Sequence, residues 1–349
     1  MFVIIYHCSK YMLVNFVEMK LDKKKYVKAW LYCGLLMIFL ILIVGGITRL
    51  TDSGLSMTHW HPIGDLPTYG NIESSYILWI DSPQGKHLSY DFDKFKFIYF
   101  WEYLHRLLAR SIGLIFIIPF IFFILKRWIN PNEVKRYSLL LILGAMQALI
   151  GWWMVRSGLD KIPHVSHFRL AIHFINACAI LGVIWWYILD LNFKIYEEER
   201  VNRLSKIFLS IFIIQLIYGA FTAGLKAGML INQGNYLKTI FGYFNPQAYQ
   251  NIDILNNMYN IQLIHRGIAW ILFLLAGYLF TILWRTKLRK VGIVLFISIM
   301  IQIGLGILTL ITKINIYSAI IHQSVACFIL LIIIYLIHTT ANKTIEKTQ

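Results

Sequence analysis

The chain has 349 residues, 58% of them hydrophobic and only 14% charged, against about 25% charged in a typical soluble domain. That balance excludes a disordered chain and an ordinary soluble enzyme. The formal net charge of +16 raises nucleic acid as a partner, but where the charge sits argues against it.

Apolar runs near 28–48, 97–125, 137–156, 168–189, 205–224, 258–284, 291–312 and 316–338 each approach the roughly 20 residues that cross a bilayer as a helix. The expected fold is therefore all-α: a polytopic membrane protein with eight transmembrane helices. Lys and Arg concentrate in "KLDKKKYVK", "KRWINPNEVKR", "KIYEEERVNRLSK", "RTKLRK" and the tail. With the N-terminus inside, all of these fall on one face, as the positive-inside rule requires. Both termini are expected in the cytoplasm, and the charge sets topology rather than binding nucleic acid.

The first segment, 1–27, reads as a cytoplasmic N-terminal stretch. "MFVIIYHCSKYMLVNF" is short and has no small-residue cleavage site, so it does not read as a signal peptide, and Met19 is an alternative start. No Arg-rich transit peptide is visible either, which favours a bacterial plasma membrane over a mitochondrial inner membrane. Cys8, Cys33, Cys178 and Cys327 are widely spaced and form no CxxC pair, so neither a disulfide framework nor a zinc site is indicated.

The helix series repeats itself. "GGITRLTDSGLSM" ends the first span and "GAFTAGLKAGML" the fifth, aligning Gly45 with Gly219, Thr48 with Thr222 and Gly54 with Gly228. "EYLHR" in the second span answers "QLIHR" in the sixth. "QALIGWW" in the third answers "QIGLGIL" in the seventh, and His173 in the fourth answers His322 in the eighth. The expectation is two four-helix bundles, 28–190 and 205–338, joined by a cytoplasmic linker at 191–204 and followed by a tail at 339–349. The small residues of "GGITRLT" and "QALIGWW" read as close helix packing.

Four histidines carry the chemistry. At 1.5 Å per residue, His105, His173, His265 and His322 lie at similar depth near the outer ends of their spans. Within each half one His on the second helix faces one on the fourth. Histidines on facing helices are a common way for a bundle to grip heme iron, and no Cys shares their depth. A bis-histidine heme site in each half is the better reading than copper or zinc. Arg49, Arg106, Arg169 and Arg266 lie near the same outer ends, where guanidinium pairs with propionate carboxylates or snorkels to headgroups.

The halves differ at one position. Glu102 lies three residues before His105, on the same helix face, and its counterpart before His265 is Gln262. Oxidising an unactivated methyl requires proton handling or stabilisation of positive charge, whereas shuttling electrons does not. The competing role for Glu102 is a structural pair with Arg106.

Together "GGITRLTDSGLSMTHWHPIGDLPT", "EYLHRLLARSIG", "QALIGWWMVRSGL", "VSHFRLAIHF", "IHRGIAW", "QIGLGILTL" and "HQSVA" resemble the heme A synthase family over about residues 28–340. The first outer loop has no cysteine pair, which is similar to the mitochondrial and alphaproteobacterial type. The resemblance implies oxidation of the C8 methyl of heme O to a formyl group by successive hydroxylations, giving heme A for terminal oxidases. It implies that His265 and His322 ligate a resident heme b, with Arg266 beside it. It places the substrate heme at His105 and His173, with Arg49, Arg106 and Arg169 around it, and makes Glu102 the catalytic group. It further implies heme O as substrate, heme O synthase and terminal oxidase assembly factors as partners, and an electron donor that the sequence does not identify; self-association stays open. His59 and His61 receive no role. The rival readings are a diheme cytochrome b-like electron carrier and a repeat-built transporter, and the long outer loop 49–96 is a candidate lid.

Overall fold

The computed structural model describes residues 23–58, 66–159, 163–191, 196, 198–230 and 253–341. Most of segment 1–27, Cys8, His59, His61 and residues 342–349 lie outside the described residues.

Eight long apolar helices are present among them: α1 (Lys23–Leu50), α4 (Phe92–Leu125), α5 (Pro131–Leu159), α6 (His167–Asp190), α7 (Glu199–Gly224), α8 (Met258–Leu283), α9 (Arg289–Ile311) and α10 (Ile316–Thr339). Each is long and apolar enough to span a bilayer. Two short helices, α2 (Tyr69–Ile80) and α3 (Pro83–Leu88), lie in the loop between α1 and α4. The protein is an all-helical, multi-pass membrane protein.

The helices outrun the apolar windows that announce them, because apolarity marks the bilayer and capping marks the helix. The second span begins at Phe92, where Asp91 Oδ1 accepts from Lys94 N at 2.9 Å. The third begins at Pro131, inside a reciprocal box in which Asn130 Oδ1 accepts from Glu133 N and Glu133 Oε2 accepts from Asn130 N. Pro131 occupies the first helical position, where its missing N–H leaves nothing unsatisfied. Asn257 and Asn315 cap α8 and α10 in the same manner.

Neighbour relations come in matched sets. α1 packs on α4, α6 and α10, while α7 packs on α8, α10 and α6; α6 and α10 also touch each other. Side-chain amides and an indole tie these helices to opposing backbone, which is worth most where water cannot compete. Gln323 donates to Leu42 O at 2.7 Å, Asn202 to Ile337 O at 2.7 Å and Trp185 to Leu331 O at 3.0 Å. Two large apolar cores result, beside smaller clusters. One surrounds Trp30, Leu181 and Ile184; the other surrounds Phe208, Leu279 and Ile333.

One pair of neighbours breaks the match. α8 and α9 pack closely, but α4 and α5, the corresponding helices earlier in the chain, barely touch.

Candidate functional site

A cavity of about 1710 Å³ runs through the bundle, and all four histidines line it. Its size exceeds the roughly 300–1,000 Å³ of a site for one drug-sized ligand. His105 and His173 are close enough to interact electrostatically, as are His265 and His322. The sequence-predicted pairs therefore form.

Each imidazole rests against a glycine of the preceding transmembrane helix. A Cβ at Gly45 would lie 3.3 Å from His105 Nε2, and one at Gly151 would lie 2.9 Å from His173 Cε1. At Gly219 the distance to His265 Cε1 would be 3.1 Å, and at Gly306 to His322 Cε1 also 3.1 Å. The small residues of "GGITRLT" and "QALIGWW" thus do more than let helices approach: Gly45 and Gly151 are seats for histidine rings. Helix-packing logic alone missed this, because a glycine chosen for a ring and one chosen for a backbone look alike in sequence.

A second set of partners also escaped the sequence reading. Gln147 Nε2 lies 3.4 Å from His173 Nε2, and Gln302 Nε2 lies 3.3 Å from His322 Nε2. The signal was present in the shared Gln-x-x-x-Gly spacing of "QALIG" and "QIGLG". Beyond that contact the two differ. His322 Nδ1 lies 3.0 Å from the backbone carbonyl of Gln302, a partner that fixes tautomer and ring orientation and leaves Nε2 for a metal. His173 Nδ1 and His265 Nδ1 are buried with no hydrogen-bond partner.

Glu102 is 2% exposed and lines the cavity beside His105. Its Oε2 accepts from Ser56 Oγ at 2.6 Å and from Met57 N at 2.9 Å, and its Oε1 accepts from Arg106 at 2.5 Å. Both candidate roles survive: the carboxylate pairs with Arg106 and also faces the space next to a ligand-type histidine. Gln262, its counterpart, donates at 3.4 Å to Ala227 O.

The loop between α1 and α4 supplies two of Glu102's partners. Trp79 is fully buried and donates to Gln84 Oε1, and Gln84 donates to Asp52 O. Trp79 packs with Phe95, Tyr99 and Met57 into a small core of its own. Gly85 is required there, since a Cβ would lie 2.0 Å from Trp79 O. Leu55, Met57, Thr58 and Gln84 line the cavity, so this loop covers one mouth of it.

Cations gather around that mouth. Arg49, Arg106 and Arg266, expected from sequence, line the cavity, together with Arg156 and Lys226, which were not, and Arg110 lines it one turn farther along the helix than Arg106. Arg49 reaches the far half, donating to Ala223 O at 2.6 Å and Gly224 O at 3.2 Å. Arg169 is placed differently: it donates to Trp153 O at 2.7 Å, stacks over the Trp153 ring and is not part of the cavity lining. At the rim, burial first and then the nearby Lys226 and His87 hold His164 below the usual histidine range.

The donor set suits heme better than a bare metal ion. Among the described residues no three His, Cys, Asp or Glu side chains converge, and a bare zinc site takes three or four protein ligands. Iron in a porphyrin needs only axial ones. Paired imidazoles, seats free of Cβ atoms, unpartnered Nδ1 atoms and a wide apolar cavity with cations at one end all fit that group.

Comparison with known proteins agrees. The family model described as "Cytochrome oxidase assembly protein" (COX15-CtaA) matches residues 28–334. A heme A synthase of Flavobacterium psychrophilum is 35% identical over 347 residues, covering 91% of this chain and 99% of its own length. A heme A synthase of Pelagibacter ubique is 37% identical over 309 residues, covering 86% and 92%. One from Rickettsia conorii is 35% identical over 330 residues, covering 90% and 97%. The chain belongs to the COX15-CtaA family of cytochrome oxidase assembly proteins.

Proposed function

We infer that the protein is a heme A synthase, a membrane oxidoreductase that converts heme O to heme A, built as two functionally distinct halves. Residues 28–190 form the substrate half and residues 205–338 the half that keeps a resident heme b. The chain is of the type without a cysteine pair in loop 49–96. Both termini are cytoplasmic and the membrane is the bacterial plasma membrane.

The observation that carries this division is Glu102. It is a buried carboxylate beside His105, and the matched position beside His265 holds Gln262, an amide with no acid–base capacity.

A heme b on His265 and His322 would supply one-electron transfer. His105 and His173 hold the substrate from its two faces. Arg49, Arg106 and Arg156 at the outer mouth neutralise its propionates and so fix which edge points outward. Glu102 takes up the proton lost from the methyl being oxidised or places negative charge beside it. Ser56 Oγ and Met57 N hold that carboxylate in place. The loop carrying Ser56 and Met57 limits water at the same point.

The test is expression of the chain in a bacterium that makes heme O but lacks heme A synthase. Appearance of heme A in extracted membranes supports the reading; membranes holding only heme B and heme O overturn it.

A further inference from the structure

The matched halves differ a second time, well below the histidines. Aligned on the Glu102/Gln262 and His105/His265 pairs, Gly113 of α4 corresponds to Phe273 of α8. Aligned on the Gln147/Gln302 and Gly151/Gly306 pairs, Leu141 and Gly144 of α5 correspond to Phe296 and Ile299 of α9. In the second half these positions close the seam. Phe273 and Phe296 pack as tilted rings with centroids 5.6 Å apart, Phe280 stacks on Phe296 at 5.4 Å, and Ile299 is buried.

In the first half only Leu141 carries a side chain at these positions, and it packs toward the core around Trp30 and Leu181. A Cβ at Gly113 or at Gly144 would meet no atom within 4 Å, and Gly113, Leu141 and Gly144 all line the cavity that contains His105 and His173. Ile117, farther down α4, lines the same cavity and is 41% exposed. The slack contact between α4 and α5 is therefore an apolar slot joined to the histidine site. Gly113 follows His105 by two helical turns, about 12 Å along the axis, so the slot descends from the site toward the middle of the bilayer.

We propose that the slot between α4 and α5 is the seat of the isoprenoid chain of heme O. This rests on the reading of the first half as the substrate site and adds to it how the substrate is chosen. The occupant must be apolar, flexible and attached to a ring held higher up, because Gly113, Leu141, Gly144 and Ile117 present no polar group below Arg110 and Gln147, which mark the upper end of the slot, and the slot opens into the ring site. Cations at the outer mouth orient the propionate edge outward, and the opposite edge of the porphyrin then faces the slot. Heme B, which lacks the chain, gains nothing from it. The second half, with Phe273, Phe296 and Ile299 in the equivalent space, suits a heme without such a chain. Discrimination between the two hemes follows from one filled seam and one open one.

The test uses the purified full-length protein with its resident heme in lipid nanodiscs, titrated optically with heme O and separately with heme B. The wild type should bind heme O more tightly than heme B. Gly113→Phe and Gly144→Ile, each installing the residue of the second half, should weaken heme O by at least about tenfold, the equivalent of a few buried methylenes. Heme B binding and the resident heme spectrum should not change. Leu141→Phe, a milder filling, keeps the test open if a glycine variant does not fold. Filled variants that retain wild-type heme O affinity, or that lose heme B in parallel, overturn the slot while leaving the site intact. A wild type that binds neither heme overturns the substrate-site reading and the slot with it.

Discussion

Asp52 and Lys226 stand 174 residues apart in sequence, at matching positions of the two halves, and they pair with each other at 3.1 Å. Both sit just past the end of a helix in the left-handed conformation, with φ of 55° and 53°, a common way for a helix to end. Arg49 and Ala223 show the same relation, since the Arg49 guanidinium donates to the backbone of its own counterpart. Cys178 and Cys327, each five residues past a matched histidine, are buried neighbours of one another. Three positions of the repeated sequence thus lie beside their own counterparts.

The Asp52–Lys226 pair is partly exposed, so it contributes no more than about 1 kcal/mol. A double-mutant cycle with Asp52→Asn and Lys226→Met, read by thermal unfolding in detergent, should give a coupling of that size. Exchanging the two residues should restore most of the stability lost in either single charge reversal. A coupling of zero contradicts the role of the pair as a clasp between halves.

Glu102→Gln preserves size and can still accept from Ser56 and Met57, so folding and the resident heme should survive. Heme A formation should fall by at least about a hundredfold, the scale of a lost acid–base group, with heme O or its singly hydroxylated form accumulating. Arg106→Gln, made in parallel, separates the catalytic reading from the structural one. If Glu102→Gln keeps near-normal turnover, the carboxylate serves only its pair with Arg106.

The glycine seats give a steric prediction. Gly219→Ala and Gly306→Ala press a methyl against His265 or His322 and should reduce the resident heme and alter its spectrum. Gly151→Ala, where the clash is closer, should leave the resident heme and impair binding of added heme O. Gly267→Ala, which meets nothing within 4 Å, is the control. Equal loss in all four variants would trace the effect to general helix propensity.

His164 gives a pH prediction. Its folded-state pKa is depressed, so the unfolded chain takes up its proton first as pH falls below about 6.5. Stability from this group is present above that value and declines on acidification. His164→Gln should flatten that part of the stability profile between pH 7 and 5, measured by melting temperature. An unchanged profile would show that His164 titrates normally.

Much of this was legible in sequence because the chain states it twice. The eight spans follow from apolar windows, and the histidine pairs follow from depth and repetition. Glu102 was visible because Gln262 stands where it should have recurred. What the sequence withheld depends on direction around a helix. Gly45 and Gly151 looked like packing residues until the rings they seat were placed against them. Arg169 looked like a propionate ligand, yet its guanidinium turns to Trp153. Gly113 and Gly144 looked unremarkable, because a missing side chain matters only when its counterpart is seen to fill the same space.

The division of labour between the halves is the central claim, and an inventory of bound hemes tests it most directly. Purified wild-type protein and the four variants His105→Ala, His173→Ala, His265→Ala and His322→Ala would be acid-extracted and their hemes separated by chromatography. The wild type should yield heme B together with heme O or heme A. His265→Ala and His322→Ala should lose heme B, whereas His105→Ala and His173→Ala should keep heme B and lose heme O and heme A. Heme B alone from the wild type, lost alike from either pair of variants, would contradict the account and favour a diheme electron carrier.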